Sequence, residues 1–261
     1  MMRVRPTSNN AARQRFVKNY NACKLYGNDQ YVVKALKMYE SKTLIDKQLL
    51  IVFMAEQCDL FDYVVKQRQC VKSTRAYRHM VDHLLGALDY IHETCKVYHG
   101  DIKMENIVVS RSNDDSVAFK FIDFENCRLH AAFSRVLGHV AYGTIGMGND
   151  ERAMDEKFAI IMPLSWELGK QDVIALGKTF IDVYFGTPHV YYWDGAADGA
   201  ADSAAAAAVH NTDYTLLLTL LSDISNIELQ VILLRQMTAL NPNDRPWARE
   251  IMQRASCINF T

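Results

Sequence analysis

The sequence predicts an α+β fold in which a larger, mainly helical part of the chain follows a smaller part that contains β-strands. Short apolar, β-branched runs are concentrated before residue 55 and between residues 97 and 124. Apolar residues at helical spacing recur in segments from residue 59 to the C-terminal region. Hydrophobic residues make up 49% of the 261-residue chain, which is sufficient for a substantial buried core.

Composition excludes several classes of partner. The formal net charge of −1 gives no basic excess of the kind that binding to nucleic acid or to an acidic membrane requires. No apolar run approaches the roughly 20 residues needed to cross a bilayer. The six cysteines include no C-x-x-C pair, so we expect free thiols in a reducing compartment, and therefore an intracellular protein, cytoplasmic or nuclear.

The first 55 residues predict one helix and two strands. The segment to residue 28 carries six basic residues and no acid, which is typical of a solvated or partner-facing arm. Within it, residues 9–26 have the spacing of a helix, with Asn9 or Asn10 as its cap and Gly27-Asn28 as its stop. Residues 31–39 and 49–54 are short apolar runs that predict a strand pair.

The remainder of the chain is mainly helical in pattern. One apolar stripe runs through residues 73–94, and residues 97–110 and 117–124 read as strands joined by a polar turn. The other predicted helices are residues 59–69, 172–185 and 229–240, with a last one after Pro246. Residues 195–209 are rich in alanine and glycine, which favours a surface insertion over a functional element.

Two clusters of polar residues carry the chemistry. The first is Tyr98-His99-Gly100-Asp101-Ile102-Lys103-Met104-Glu105-Asn106, and the second is Asp123-Phe124-Glu125 after a strand-like run. Phosphoryl transfer requires an oriented acceptor hydroxyl, a metal that bridges phosphate oxygens, and a cation that spreads the developing charge. An aspartate, a lysine and an asparagine on one loop, with a second aspartate nearby, can meet these needs.

Together these clusters resemble the catalytic loop and the metal-binding Asp-Phe-Gly of protein kinases, with Asp123 seventeen residues after Asn106. Later motifs extend the resemblance in the family's order. Gly143-Thr144 is followed seven residues after the threonine by Glu151, although Asn149-Asp150 stands in place of Ala-Pro. The run Asp172–Gly177 matches a helix that opens Asp-x-x-x-Leu-Gly, and Asp244-Arg245-Pro246 matches the late Asp-Arg-Pro.

The resemblance implies a kinase-like fold, with the smaller lobe at residues 1–55 and the larger at 56–261, and it implies ATP and Mg²⁺ as cofactors. It implies that Asp101 orients the acceptor hydroxyl and accepts its proton, that Lys103 steadies the transferring phosphate, and that Thr144 ties Asp101 to the substrate segment. It gives the metal to Asn106 and Asp123. We assign His99 and Asp172 to scaffolding, His99 as a buried and hydrogen-bonded imidazole and Asp172 as an acceptor for loop amides. The residues implied in nucleotide binding are the hinge Phe53, Met54 and Ala55, then Asp59 near the ribose and Val108 under the base.

The sequence departs from the family pattern in five further places. No G-x-G-x-x-G occurs, and no Val-Ala-x-Lys precedes the hinge, where Arg3 or Arg5 lies nearest the lysine's place. The helix over residues 9–26 holds no acid for an ion pair. Gly100 stands where many kinases have arginine, which argues against control by phosphorylation of the activation segment. Glu125 replaces the glycine after Asp123-Phe124.

Three functions follow from these observations. The leading one is a serine/threonine kinase acting on a protein substrate, since Lys103 two residues after Asp101 resembles that branch. The second is a binding module that docks on another kinase or a regulatory protein and transfers nothing, which the missing small-lobe motifs favour. The third is a small-molecule kinase, because choline and aminoglycoside kinases have a similar Asp-Phe-Glu. The motif variants also resemble those of kinases from large DNA viruses.

Overall fold

The computed structural model describes residues 2–6, 10–28, 30–42, 47–66, 74–111, 117–129, 165–186, 218–226 and 229–258. The chain begins with a three-stranded antiparallel sheet. Its strands are β1 (Met2–Pro6), β2 (Ala35–Lys42) and β3 (Lys47–Phe53), in the order β1-β3-β2. On β3, Leu49 and Ile51 are buried while Leu50 and Val52 are partly exposed, which is the alternation of a strand with one face on the core.

Helix α1 (Asn10–Tyr26) lies against this sheet and buries Phe16, Asn19 and Cys23 on one stripe. It ends at Gly27, whose amide donates to the Cys23 carbonyl at 3.1 Å. The side-chain Oδ1 of Asn28 then accepts hydrogen bonds from the backbone amides of residues 30, 31 and 32. This Asx-type turn stops the helix and sends the chain toward β2.

A second antiparallel sheet contains β4 (Cys58–Asp59), β6 (Ile107–Arg111) and β7 (Val117–Phe121), in the order β4-β6-β7. The pair β5 (Val97–Tyr98) and β8 (Arg128–Leu129) lies outside it. Residues 31–33 connect the segment before β2 to the second sheet. Phe121 N on β7 donates to Tyr31 O at 2.9 Å, and Phe121 O accepts from Val33 N at 3.1 Å.

The helices pack around these sheets. Helix α2 (Thr74–Asp89) continues as a wide π-helical turn, Tyr90–Thr94, and buries Met80, Leu84, Leu85 and Leu88. The later helices are α3 (Ser165–Phe185), the π-helical Leu229–Leu234 with its short continuation Arg235–Met237, and α4 (Ala248–Ala255). The mixed helix and strand content agrees with the predicted α+β class.

Several predicted elements differ from the observed ones. The basic N-terminal segment contains β1, because its backbone pairs with β3 from Met2↔Val52 to Pro6↔Gln48. The strand predicted over 97–110 is split into β5 and β6 by a loop and the 3₁₀ turn Met104–Asn106. Of the helix predicted over 59–69, residues 60–66 are helical, with a π-helical turn at Asp62–Lys66, and residues 67–69 lie outside the described ranges. Helix α3 begins seven residues before the predicted Asp172.

Other predictions fall beyond the described ranges. These include the insertion at 195–209 and the segment from Gly143-Thr144 to Glu151. The division into lobes at residue 55 stays a prediction. Within the described part of the chain, none of the helices has both the length and the apolar character that a membrane span requires.

We expect the half-buried His83 on α2 to make the fold sensitive to acid. Its ring contacts Tyr31 and Phe119 edge-on, with centroids 5.4 and 6.1 Å away, and burial lowers its pKa from 6.5 to about 4. Folding therefore favours the neutral ring, and the stability that it contributes is present above pH 6.5 and lost as pH falls toward 4. We expect His83→Gln to flatten the decline of the unfolding free energy between pH 6.5 and 4.5.

Urea unfolding at several pH values measures this slope. The exposed His79, one turn earlier on α2, has its ring centroid 5.8 Å from that of His83 and lowers the pKa of His83 further, so His79→Gln should reduce the acid sensitivity less than His83→Gln does. Equal slopes for wild type and His83→Gln would rule out His83 as the source.

Candidate active site

Three of the predicted site residues lie in direct contact on the loop that follows β5. The Asn106 amide donates to Asp101 Oδ2 at 2.9 Å and to the Asp101 carbonyl at 2.8 Å. Lys103 Nζ lies 3.3 Å from the other carboxylate oxygen, Oδ1. Asp101 and Lys103 both remain about one-third exposed, so the loop presents a carboxylate and an ammonium side by side at the surface of the site.

Buried Asp172 on α3 fixes the start of this loop. Its carboxylate accepts from His99 N at 2.7 Å, from Gly100 N at 2.8 Å and from His92 Nε2 at 2.9 Å. The prediction that Asp172 bonds loop amides is thus confirmed. Because charged acceptors form the stronger hydrogen bonds, this one side chain holds the backbone that precedes Asp101.

His99 connects the loop to the end of β7. Burial lowers the pKa of its imidazole, which favours the neutral ring. A neutral ring can donate from Nε2 to the Ile122 carbonyl at 2.9 Å and accept from Asp101 N at Nδ1, at 3.3 Å. The predicted role of His99 as a buried, hydrogen-bonded imidazole is confirmed, and it joins the segments that carry Asp101 and Asp123.

Gly100 occupies a backbone conformation that disfavours other residues, with φ of +77°. A Cβ at this position would also lie 2.9 Å from the Asn126 carbonyl oxygen. The glycine therefore allows the loop to pass close to the residues that follow Asp123. This gives a local reason for glycine where many kinases have arginine.

Asp123 lies at the end of β7, beside the loop. Ile122 N donates to Asn106 O at 3.0 Å, and Ile107 is paired with Phe121, so Asn106 and Asp123 occupy neighbouring positions across one hairpin. Asp123 has left-handed backbone angles, φ 68° and ψ 61°, which are uncommon for a residue other than glycine. The turn Phe124–Asn126 follows, with Phe124 buried against His99 at 4.6 Å between ring centroids.

The donor set suits magnesium better than a metal that needs many protein ligands. Within the described ranges, no three His, Cys, Asp or Glu side chains gather as a metal cluster. Mg²⁺ is usually held by one or two carboxylates together with phosphate oxygens and water. One carboxylate at Asp123 and the amide oxygen of Asn106 are hard oxygen donors of that kind.

The residues predicted to contact a nucleotide base lie at the junction of the two sheets. Phe53 ends β3 and is buried, whereas Met54 and Ala55 are exposed. Met54 N donates to Lys34 O at 3.0 Å, so this amide is engaged on the β2 side. Backbone groups alternate in direction along an extended chain, and we therefore expect those of Phe53 and Ala55 to point the opposite way.

Asp59 and Val108 face each other in the β4–β6 pair. Asp59 Oδ1 accepts from Asp62 N at 2.7 Å, and burial raises the pKa of its carboxyl. This side chain therefore caps the turn Asp62–Lys66, and its place near a ribose stays a prediction. Val108 is fully buried.

Three polar residues near the site were not predicted to have a role there. Asn19 on α1 contacts both Asp123 and Phe124. Lys120 forms a largely buried ion pair with Glu56, at 2.9 Å, and so ties β7 to the segment after the hinge. The sequence does contain one indication for Asn19: it lies at helical spacing from Phe16 and Cys23, which predicts that this polar side chain is buried.

Thr144 is the one predicted catalytic residue outside the described ranges. Arg245, whose family counterpart pairs with the acid at the place of Glu151, is buried and donates to three carbonyls, those of Lys170, Ala239 and Leu240. Its guanidinium holds α3 and the turn before α4 together.

Comparison with known protein families gives a match to the protein kinase domain over residues 3–255. The chain belongs to the protein kinase domain family. Among curated proteins, this kinase-family chain is 31% identical over 97 residues to serine/threonine-protein kinase 1 of Heliothis zea nuclear polyhedrosis virus. It is 32% identical over 93 residues to serine/threonine-protein kinase DCLK3 of Mus musculus. Each alignment covers 36% of this chain, and the alignments span 35% and 11% of the two relatives.

Proposed function

We propose that the chain is a serine/threonine protein kinase that moves the γ-phosphate of ATP to a hydroxyl of a protein substrate. The observation that carries the proposal is the contact set around Asp101, with Asn106 on one carboxylate oxygen and Lys103 near the other. Exposed ion pairs also occur elsewhere in the chain, as between Arg78 and Asp82, but the Asp101 carboxylate is distinguished by the buried Asn106 amide that holds its other oxygen. The names of the two partial relatives support the serine/threonine class.

In this mechanism Asp101 orients the acceptor hydroxyl and receives its proton. The hydroxyl oxygen forms a bond to the γ-phosphorus while the bond from that phosphorus to the β,γ-bridging oxygen breaks, and ADP leaves with the electron pair. Lys103 lies close enough to Asp101 to contact the transferring phosphoryl group and stabilise its charge. Asn106 holds the carboxylate in place throughout.

Asp123 and Asn106 would hold Mg²⁺, and Thr144 would connect Asp101 to the substrate segment. A bound magnesium ion neutralises phosphate charge as the transfer proceeds. The adenine would lie between the backbone of Phe53–Ala55 and the side chain of Val108, with Asp59 beside the ribose. A cytoplasmic or nuclear site of action is supported by the free thiols of the described cysteines, which suit a reducing compartment.

A binding module that docks on another kinase or a regulatory protein is the second candidate. It is favoured by helix α1 (Asn10–Tyr26), which holds no acid for the ion pair with a lysine that the family pattern has. A smaller lobe without the glycine-rich loop and that lysine would grip the phosphates less firmly, which is consistent with weak or partner-dependent transfer.

The deciding experiment is incubation of the purified chain with Mg²⁺ and γ-labelled ATP, using a generic basic and a generic acidic protein as acceptors. We expect acid-stable label on serine or threonine of at least one acceptor, and Asp123→Asn should abolish it because the metal carboxylate is removed. Thermal stabilisation by Mg-ATP with no transfer would point to the binding module. The absence of any nucleotide binding at millimolar ATP would overturn the kinase proposal.

A further inference from the structure

A fully buried asparagine in the middle of α1 calls for a physical reason. Asn19 is 0% exposed, and asparagine is a poor residue for a helix interior. Burying an amide away from water costs free energy unless its polar atoms find partners. An apolar residue of similar size would serve packing better, so the contacts of Asn19 identify what the amide does.

Both ends of the Asn19 amide are engaged. Oδ1 accepts from Phe124 N at 3.0 Å and from the Cys23 thiol at 3.4 Å, while Nδ2 donates to Asp123 Oδ1 at 3.3 Å. Two donors face the oxygen and a carboxylate faces the nitrogen, so only one orientation of the amide satisfies all three contacts. The side chain thus contacts two consecutive residues, the carboxylate of one and the backbone of the next.

Those two residues form the turn that aims the Asp123 carboxylate. The left-handed backbone of Asp123 is a conformation that residues with a Cβ adopt rarely. The bond from Phe124 N to Asn19 helps to hold that conformation, and the bond to Oδ1 orients the carboxylate itself. A neutral amide does this without placing a positive charge where a cation would bind.

We infer that Asn19 is a positioning residue that orients Asp123 for a magnesium–nucleotide complex, an inference that rests on the proposed function. It assigns α1 a part in assembling the metal site through an amide bridge. The adjacent Lys18 has a different contact, because its Nζ donates to the Cys127 carbonyl, and burial lowers its pKa. The helix therefore reaches the segment after β7 at two separate points.

The test compares ADP binding by calorimetry with and without Mg²⁺. Asn19→Leu keeps the size of the side chain and removes both of its bonds to residues 123–124. We expect the gain in ADP affinity due to Mg²⁺ to fall at least about tenfold, in the range for residues that orient metal ligands. The affinity for metal-free ADP should stay within about twofold, because the base contacts lie elsewhere.

Cys23→Ala is the matched control, since it removes a neighbour of Asn19 and leaves the contacts with Asp123 and Phe124 in place. It should retain the magnesium-dependent gain. Asn19→Ala, which favours the helix and adds no atoms, provides the same readout should the leucine variant fail to fold. A full magnesium-dependent gain in a folded Asn19 variant would overturn the inference, whereas a wild type that binds no ADP would overturn the proposed function first.

Discussion

Replacing Asp101 by asparagine is expected to lower phosphoryl transfer about 1,000-fold, within the range for loss of a general base. The side chain keeps its shape, and its remaining oxygen can still accept the Asn106 amide that now lies 2.9 Å from Oδ2. What disappears is the negative charge that receives the proton and pairs with Lys103 at 3.3 Å. The loss should therefore fall on kcat, with the KM for ATP nearly unchanged.

Steady-state rates at saturating Mg-ATP measure this effect, and urea unfolding checks that stability stays within about 1 kcal/mol of wild type. Asp82→Asn is a matched control, because Asp82 lies 3.3 Å from Arg78 in an exposed pair on α2, remote from the loop. It should transfer phosphate at the wild-type rate. If Asp101→Asn kept more than a tenth of the wild-type kcat, Asp101 could not be the base.

The catalytic-loop motif could be predicted from sequence because its residues are close together in the chain. Asp101 and Asn106 are joined within one short loop, and Asp123 is brought beside them by a hairpin whose strands are β-branched and aromatic. Asp172 could be assigned to the loop amides because the family motif places it there, and the structure has it at 2.7 and 2.8 Å from those two nitrogens.

The unpredicted parts depend on tertiary contacts that no local pattern encodes. In strand β1, arginines alternate with other residues and are paired in register with Leu49 and Ile51 of β3. This charged pattern is typical of an exposed arm, and only the pairing with β3 makes the segment a strand. The run 97–110 is apolar enough to predict one strand. The amides of His99 and Gly100 instead donate hydrogen bonds to the Asp172 carboxylate, and the strand is interrupted at that point. Asn19 acquires its role only through residues more than a hundred positions away.

Removing the carboxylate of Asp172 is expected to have the largest effect on stability. Asp172→Ala leaves two backbone amides and the His92 ring without the acceptor that they now share, in a place where Asp172 itself is 1% exposed. Hydrogen bonds to a charged group contribute roughly 1.5–3 kcal/mol each to stability. A buried donor that loses its acceptor also bears the full free-energy cost of its removal from water. We expect the unfolding free energy to fall by about 4 kcal/mol, a large part of the total for a domain of this kind.

Urea unfolding of the variants, followed by circular dichroism and fluorescence, measures the difference. Asp89→Ala is the matched control, because Asp89 lies 3.2 Å from Arg249 in a partly exposed ion pair, and its loss should cost less than about 1 kcal/mol.

Asp172→Asn keeps one acceptor oxygen, and its stability should fall between that of wild type and that of the alanine variant, which gives a folded variant for kinetics. In that variant kcat should drop with stability, because the same carboxylate that stabilises the fold holds the backbone leading into Asp101. A loss at Asp172 no greater than that at Asp89 would show that water or neighbouring groups replace the carboxylate, and the loop would then owe its shape to His99 and Gly100 alone.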